Sequence, residues 1–426
     1  MTTNTNNTTN ATTTTNTAGN SGLTAVAAAS HPFDTLGLEH CPFMPVFGAP
    51  KLMIERGRGT EVWDSDGKRY LDFLSGIAVV SLGHANPVVA AAIAKQAETL
   101  LHVSNFFANP VATSAAIMIN DLLREASGHD GQIFFTNSGA ESNECAIKLA
   151  RKWGGRGRHS VVSALGSFHG RTLASLAATG QPSKHEPFQP MPEGFKHVAW
   201  GDLDAMRAAV DVSVAAVLIE PLQGEGGVNP APPGYLEGIR DLCDDTGALM
   251  MVDEIQTGFG RTGRWFGFEH SGVAPDVVTL AKAMGNGMPV GACWARRDVA
   301  AVFQPGDHGS TYSGTAIATS AVVAVIDEMR RIDAPALARQ RGALLRGMVS
   351  AIPGVASIRG EGLLLGVQLE DGVAAPAVYA RMLERGIICN AVNPTTIRLV
   401  PPLTVSEAEL TEAADTLRNV LEEGQA

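Results

Sequence analysis

A lysine that follows an apolar run is the first residue of this sequence that could act as a nucleophile. Lys282 comes directly after residues 277–281 (Val-Val-Thr-Leu-Ala) and before Ala283, Met284 and a Gly-rich turn. Apolar neighbours desolvate an amine, which lowers its pKa and makes the neutral form available for Schiff-base chemistry. A lysine in such a position often extends its amine into water instead, so this segment alone leaves both interpretations open.

A carboxylate ends a second apolar run. Asp253 closes residues 248–253, and Gln256 follows three residues later. A carboxylate at the end of a buried strand costs free energy unless it has a cationic or hydrogen-bonding partner. A protonated pyridine nitrogen would be such a partner, and a structural ion pair is the alternative.

A third segment joins a strand end to a helix start. In residues 134–144, Ser138 and Glu141 have the spacing of a capping box before a helical pattern. The free N–H groups and the positive dipole end of such a helix suit a phosphate, although an ordinary helix cap has the same pattern. Together, a phosphate-binding helix start, a strand-end carboxylate and a lysine are the parts that a pyridoxal phosphate site requires.

The elements that would position these residues are short apolar runs alternating with segments of helical period. This alternation predicts an α/β domain with a mostly parallel sheet, in which ligands lie beyond the carboxyl ends of the strands. The predicted strands are residues 132–136, 159–164, 215–220, 248–253, 277–281 and 290–294.

Composition suggests how the rest of the chain is divided. Residues 1–30 begin with an almost pure Thr/Asn tract and are predicted to be a disordered tail. Residues 86–320 form the predicted large domain. Residues 31–85, rich in turns, and residues 321–426, which alternate helix, strand and helix, form the predicted smaller α+β domain.

Charge and cysteine content exclude several classes of partner. The net charge is −11 and no basic stripe is present, which disfavours nucleic acid and membrane partners. The five cysteines are widely separated, without a CxxC pair, so neither a disulfide framework nor a metal site is predicted. A reducing cytoplasm fits this pattern.

The sequence resembles the class III aminotransferases from about Pro42 to Glu412. The strings that carry the resemblance are Tyr70-Leu-Asp-Phe-Leu, Leu82-Gly-His-Ala-Asn-Pro, Ser167-Phe-His-Gly-Arg-Thr, Ile219-Glu-Pro-Leu-Gln-Gly-Glu-Gly-Gly, Asp253-Glu-Ile-Gln-Thr-Gly-Phe-Gly-Arg-Thr-Gly, Gly285-Asn-Gly, His308-Gly-Ser-Thr and Asn390-Ala-Val-Asn-Pro-Thr-Thr-Ile-Arg-Leu-Val-Pro-Pro. The resemblance implies an aspartate-aminotransferase-like fold (fold type I) with pyridoxal 5′-phosphate as the cofactor.

The resemblance also implies roles for individual residues around the cofactor. Lys282 would carry it as a Schiff base, and Asp253 would pair with the ring nitrogen. The remaining contacts implied are Gln256 with the ring hydroxyl, Phe168 stacked on the ring, and Ser138, Gly139 and Ala140 on the phosphate. Thr311 would reach the phosphate of a neighbouring subunit, which implies a homodimer with shared active sites.

The substrate residues implied by the resemblance are charged. Arg171, with help from Ser310 of a neighbouring subunit, would bind the α-carboxylate of an ω-amino donor. Arg398 would bind the α-carboxylate of 2-oxoglutarate or glutamate, and Glu225 would pair with Arg398 during the other half-reaction.

The predicted reaction moves the terminal amino group of N2-acetylornithine to 2-oxoglutarate, a step of arginine biosynthesis. Two departures from the family pattern bear on the donor. Phe47 stands where many relatives have Tyr, and residues 313–316 read Ser-Gly-Thr-Ala instead of Gly-Gly-Asn-Pro. The alternative donors are ornithine, N2-succinylornithine and 4-aminobutyrate. An aminomutase or a non-catalytic, cofactor-binding regulator is a further alternative.

Overall fold

The structure is a computed structural model that describes Phe43, Met44, Val46, Phe47 and residues 50–425. The predicted tail, residues 1–30, lies outside the described residues. The chain divides into two compact units. The first is Met1–Arg56 with Trp63–Lys68, and the second is Gly57–Val62 with Arg69–Ala426. The predicted boundaries at residues 85 and 320 stay a prediction.

The strands are distributed over the described part of the chain from residue 54 to residue 399. They are β1 Ile54–Arg58, β2 Glu61–Asp64, β3 Arg69–Asp72, β4 Gly131–Thr136, β5 Ser160–Ala164, β6 Phe195–Val198, β7 Val214–Ile219, β8 Leu222–Gln223, β9 Asn229–Pro230, β10 Leu249–Asp253, β11 Val277–Leu280, β12 Gly291–Arg296, β13 Val355–Glu361, β14 Leu364–Leu369, β15 Ile387–Ile388, β16 Asn390–Asn393 and β17 Thr396–Leu399.

The helices lie between and after these strands. They are α1 Ser75–Ala78, α2 Pro87–Thr99, α3 Pro110–Ser127, α4 Gly139–Gly154, α5 Leu173–Ala178, α6 Leu203–Ala209, α7 Tyr235–Thr246, α8 Arg297–Ala300, α9 Ala316–Arg331, α10 Ala334–Ser350, α11 Ala375–Glu384 and α12 Glu407–Gln425. No helix in the described part of the chain is long and apolar enough to span a membrane.

A seven-stranded sheet forms the centre of the second unit, in the order β4-β12-β11-β10-β7-β5-β6. The pairs from β11 to β6 are parallel, and only β12 runs in the opposite direction. Every predicted strand is present, with ends shifted by no more than two residues. The prediction of an α/β fold with a mostly parallel sheet is confirmed.

The central strands are almost entirely apolar, and Thr279 and Asp253 are the polar residues of β7, β10 and β11. All residues of β7, β10 and β11 are buried. Helix α4 shows how a covering helix meets this sheet: its buried face runs through Asn143, Ala146 and Ala150, at helical spacing. The same packing carries a polar residue, Asn143, into the interior.

A second sheet lies in the C-terminal part of the chain, in the order β13-β14-β17-β16. Its pairs are antiparallel, and Arg398 on β17 is opposite both Gly366 on β14 and Asn390 on β16. Strand β17 is buried on both faces. A guanidinium on this strand is therefore removed from solvent and held by a rigid backbone.

Candidate active site

One edge of the central sheet collects the chemically capable residues. Strands β4, β5, β7, β10 and β11 all point their carboxyl ends to this edge. A cavity of ≈ 250 Å³ opens there. Its lining residues are Gly139, Ala140, Phe168, His169, Gly170, Arg171, Glu220, Leu222, Glu225, Asp253, Ile255, Gln256, Thr257 and Lys282. The three segments singled out in the sequence therefore meet in one cavity.

Lys282 follows β11 at the start of a 3₁₀ turn, Lys282–Gly285. Its φ is +49°, a left-handed conformation that a side-chain-bearing residue adopts at a cost in free energy. Within the described residues, its amine has no hydrogen-bond or ion-pair partner. Burial lowers the pKa of Lys282, and the nearby carboxylate of Glu225 only partly opposes this effect. The neutral form of the Lys282 amine is thus more accessible than in a lysine exposed to solvent.

Asp253 ends β10 and is buried. Its Oδ2 accepts a hydrogen bond from Asn143 Nδ2 at 2.8 Å and lies 2.8 Å from His169 Nδ1. The backbone N–H of Ile255 donates to Oδ1 at 3.1 Å. These contacts meet the sequence-based requirement for a hydrogen-bonding partner and fix the orientation of the carboxylate toward the cavity.

Two of the residues that hold Asp253 were not predicted as site residues. Asn143 is itself positioned by Thr279 Oγ1, which donates to its Oδ1 at 2.8 Å, and by donation to the His169 carbonyl oxygen at 2.7 Å. Asn143 lies within residues 134–144, and His169 lies within the string Ser167-Phe-His-Gly-Arg-Thr. The signal for Asn143 is a polar residue on the otherwise apolar face of a helix. The signal for His169 is a histidine directly after an aromatic residue in the loop that follows a strand.

The start of α4 is capped as predicted, with one difference. Ser138 Oγ accepts a hydrogen bond from the N–H of Glu141 at 3.2 Å. The Glu141 carboxylate does not return to Ser138 but accepts from the N–H and the side-chain amide of Asn137, both at 2.8 Å. Among the described residues, nothing accepts from the N–H groups of Gly139 and Ala140, which line the cavity.

Gly139 has no room for a side chain. A Cβ at this position would lie 2.8 Å from Ile255 Cδ1. The helix start therefore approaches the cavity through its backbone, as binding of an anion by N–H groups requires.

Phe168 lies in the loop after β5, and Glu220 directly follows β7. The Phe168 N–H donates to Glu220 Oε2 at 3.3 Å, which ties the aromatic residue to the neighbouring strand end. Burial, and then the nearby Asp253, raise the pKa of Glu220 well above its usual range. Glu220 was quoted within a motif but not predicted as a site residue.

Arg398 and Glu225 form an ion pair on the far side of the cavity. Arg398 Nη1 donates to Glu225 Oε1 at 2.5 Å, and Gln256 Nε2 donates to the same oxygen at 3.2 Å. Burial raises the pKa of Glu225, but the charge and hydrogen bond of Arg398 outweigh this effect and leave that pKa below its usual value. The predicted pairing of these two residues is present in the structure.

One nitrogen of the Arg398 guanidinium has no hydrogen-bond partner among the described residues. Arg398 Nε donates to Asn390 Oδ1 at 3.1 Å, and Nη1 also donates to the Gly224 carbonyl oxygen at 3.3 Å. Nη2 is buried and has no hydrogen-bond partner within the described residues. A buried donor without a partner costs free energy, which an incoming carboxylate would recover.

The other predicted substrate residues lie in different places. Arg171 is exposed at the cavity mouth and, within the described residues, has no acidic partner. Ser310 Oγ accepts from Asn137 Nδ2 at 3.0 Å, whereas Thr311 is exposed, and neither lines the cavity. Phe47 is 98% exposed, and its bearing on the choice of donor stays a prediction.

These residues fit a flat, phosphorylated pyridine. A free N–H pair at a helix start suits the phosphate, Phe168 offers an aromatic face, and Asp253 offers a fixed carboxylate for a ring nitrogen. Lys282 has an amine without a partner in the same cavity.

Comparisons with known proteins match this chain to aminotransferases. The family model described as aminotransferase class III matches residues 46–421. The acetylornithine aminotransferase of Caldanaerobacter subterraneus is 44% identical over 391 residues, covering 89% of this chain and 97% of its own length. That of Corynebacterium efficiens is 45% identical over 399 residues, covering 92% and 97%.

Solved structures agree in fold. The ornithine aminotransferase from Toxoplasma gondii superimposes with a TM-score of 0.83 at 33% identity, covering 89% of this chain and 92% of its own. The N-acetylornithine aminotransferase from Stenotrophomonas maltophilia superimposes with a TM-score of 0.77 at 32% identity, covering 88% and 96%. The chain belongs to the class III aminotransferases.

Proposed function

We propose that this enzyme transfers the terminal amino group of N2-acetyl-L-ornithine to 2-oxoglutarate, with pyridoxal 5′-phosphate as cofactor. The products are N-acetyl-L-glutamate 5-semialdehyde and L-glutamate, which places the reaction in arginine biosynthesis. The observation that carries the proposal is the cavity that joins the unpaired amine of Lys282 to the Glu225–Arg398 ion pair. Relatives at 44% and 45% identity named for this donor support it.

Different residues around the cavity would bind different parts of the cofactor. Ser138, Gly139 and Ala140 would hold its phosphate at the start of α4, Phe168 would stack on its ring, and Gln256 would approach the ring hydroxyl. Asp253 keeps a proton on the ring nitrogen. When bound, the cofactor supplies an electron sink for the carbon that loses a proton. A structure of the Toxoplasma gondii ornithine aminotransferase describes this cofactor at partial occupancy in its active site.

Lys282 acts both as the covalent attachment point and as the acid–base group. Burial lowers the pKa of its amine, which favours the nucleophilic form through which Lys282 would hold the cofactor covalently. With the substrate amine in its place, Lys282 Nζ would remove a proton from the carbon that bears the amino group.

Arg398 and Glu225 allow two different substrates to use one cavity. When N2-acetylornithine is bound, no carboxylate faces Arg398, and Glu225 neutralises the guanidinium. When 2-oxoglutarate or glutamate is bound, its α-carboxylate takes the place of Glu225 and also reaches the free Nη2. Arg171 binds the carboxylate at the other end of each substrate.

The active unit is proposed to be a homodimer. Ser310 and Thr311 do not line the cavity of their own chain, so they are available to a second copy. Apolar side chains near them are exposed, including Phe106 at 92% and Tyr312 at 60%. An apolar surface of this kind is typical of a subunit interface.

A cytoplasmic location is proposed from the cysteines. Cys145, Cys243, Cys293 and Cys389 are buried and unpaired. Buried free thiols are usual in a reducing compartment.

The test is a donor panel with purified protein loaded with pyridoxal phosphate. N2-acetylornithine with 2-oxoglutarate is expected to yield glutamate at the highest kcat/KM, ahead of ornithine, N2-succinylornithine and 4-aminobutyrate. Strong preference for 4-aminobutyrate would overturn the donor assignment. Repeated turnover without 2-oxoglutarate, beyond one product per active site, would indicate an aminomutase.

A further inference from the structure

A second cation lies beside Arg171 at the cavity mouth. Lys184 Nζ is 5.4 Å from the centroid of the Phe168 ring, and Arg171 Cζ is 5.6 Å from the same centroid. Both distances are within the range of cation–π contact. Phe168 and Arg171 line the cavity, so Lys184 lies directly beside its mouth.

The position of Lys184 is set by the backbone and by one neutral side chain. It ends the short 3₁₀ helix Pro182–Lys184, where its N–H donates to the Gln181 carbonyl oxygen. Its amine donates to Gln181 Oε1. Gln181 Nε2 in turn donates to the Ser167 carbonyl oxygen at 3.0 Å, next to Phe168. The amine is therefore directed toward the aromatic residue of the site.

Neither cation is neutralised by a direct partner. Within the described residues, no carboxylate forms an ion pair with Lys184 or Arg171. Burial lowers the pKa of Lys184, and the charge of Arg171 lowers it further, whereas Glu225 opposes them from a distance. Glu225 itself is engaged by Arg398. Two neighbouring positive charges without a counter-ion destabilise each other until an anion binds between them.

We propose that Lys184 is a specificity-determining residue that binds, together with Arg171, the carboxylate at the end of the substrate remote from the reacting carbon. The substrate class is an ω-amino acid or a five-carbon dicarboxylate. This inference rests on the proposed function, because it takes Lys282 as the point where the amino group reacts. The planar guanidinium of Arg171 can donate two hydrogen bonds to the carboxylate, and the ammonium of Lys184 adds a second positive charge beside it.

The test compares two donors that differ in one group. 5-Aminopentanoate has the carbon spacing of N2-acetylornithine between amine and carboxylate, and pentylamine has a methyl group in place of that carboxylate. Each is mixed with the cofactor-loaded enzyme without an acceptor, and the single-turnover spectral change gives a limiting rate and a half-saturating concentration.

K184M is expected to raise the half-saturating concentration of 5-aminopentanoate about tenfold, the usual loss when a charge-assisted hydrogen bond is removed. Its limiting rate is expected to stay within about twofold, and both parameters for pentylamine are expected to stay unchanged, since pentylamine lacks the group that Lys184 binds. K184R should retain most of the affinity for 5-aminopentanoate.

The matched control is K95M, which removes the same charge from an exposed position on α2. K184Q repeats the measurement if K184M does not fold. Equal changes for the two donors, or none for either, would overturn the role of Lys184. Failure of the proposed function is separate from this result, because it would be seen as absent turnover of N2-acetylornithine by the unmodified enzyme.

Discussion

The reactivity of Lys282 depends on the surroundings that the fold provides. The Lys282 amine has no direct partner within the described residues, and burial lowers its pKa because charging an amine away from water is costly. The carboxylate of Asp253, in contrast, is held by three hydrogen-bond donors at the same sheet edge. The hydrogen-bond partners thus distinguish the nucleophile, Lys282, from Asp253, the carboxylate that would face the ring nitrogen.

Lys282→Ala is expected to remove turnover almost completely, by about 10³-fold or more, because attachment and proton transfer both require the amine. Borohydride reduction followed by peptide mass analysis should find the cofactor fixed to Lys282 in the unmodified enzyme and absent from the variant. Turnover at the normal rate in the variant would contradict the assignment.

Glu225→Ala should affect the two half-reactions differently. With its partner removed, Arg398 stays charged and buried, so donors that present no carboxylate to it should react more slowly, by about tenfold or more. Glutamate supplies its own carboxylate and should react at a nearly normal rate. Stopped-flow measurement of each half-reaction checks this, and an equal loss in both would show that Glu225 does not act as a switch.

At the scale of elements, the site is a property of strand ends. Asp253 ends one strand, and Ser138, Phe168, Glu220 and Lys282 follow four others that point the same way. The positions of these strands along the chain were predictable because strand periodicity and end signals are local. The residues behind them, such as Asn143 and His169, were missed because their partners are far along the chain: Asn143 and Asp253 are 110 residues apart.

The loop after β10 contains a buried carboxyl whose titration should be visible in stability. Glu254 accepts hydrogen bonds from Thr257 Oγ1 at 2.5 Å and from the N–H groups of Gly267 and Phe268 at 2.9 and 2.8 Å. Burial nevertheless raises the pKa of Glu254 to about 7 from 4.5, the three donors opposing it. The carboxyl is therefore protonated more easily in the folded state than in the unfolded state.

Glu254→Gln is expected to flatten the pH dependence of Tm. A raised folded-state pKa contributes stability that is fully present below the unfolded value and is lost as pH rises through the folded value. For Glu254 this window is pH 4.5 to about 7. The contribution is roughly 3 kcal/mol across it. Thermal melts at pH 5 and 8 should show a smaller fall in the variant than in the unmodified enzyme, and parallel falls would contradict the shift.

At the scale of the whole molecule, an apolar surface lies next to the loop that carries Ser310 and Thr311. Asn105 Nδ2 donates to the Ser310 carbonyl oxygen at 2.9 Å, and the His102 and Tyr312 rings are 5.5 Å apart. Phe106 and Phe107 are 92% and 69% exposed beside them. The segment that would present apolar side chains to a second copy in the proposed homodimer is thus hydrogen-bonded to the segment that would complete the second site.

Phe106→Asp is expected to convert a dimer into a monomer and to remove most turnover, because a buried charge at an interface is costly. Light scattering after size-exclusion chromatography gives the mass, and the donor assay gives the activity. Val212→Asp is the control, since Val212 is also 92% exposed but lies in the turn before β7. A monomeric unmodified enzyme with full turnover would refute the shared-site arrangement.

Local signals in the chain were enough to predict the α/β fold and the strand ends. Taken together they suggested one site for Lys282, Asp253 and Ser138, and the family resemblance supplied the role of each. Strand period, helix caps and apolar runs involve neighbouring residues, so they can be read without the fold. The contact of Arg398 with Glu225, 173 residues away, was implied only by the family resemblance, and the tertiary structure shows it. The tertiary structure alone placed Lys184 beside Arg171 and Phe168. Both contacts depend on how strands and loops pack against one another, and no local pattern encodes such a distance.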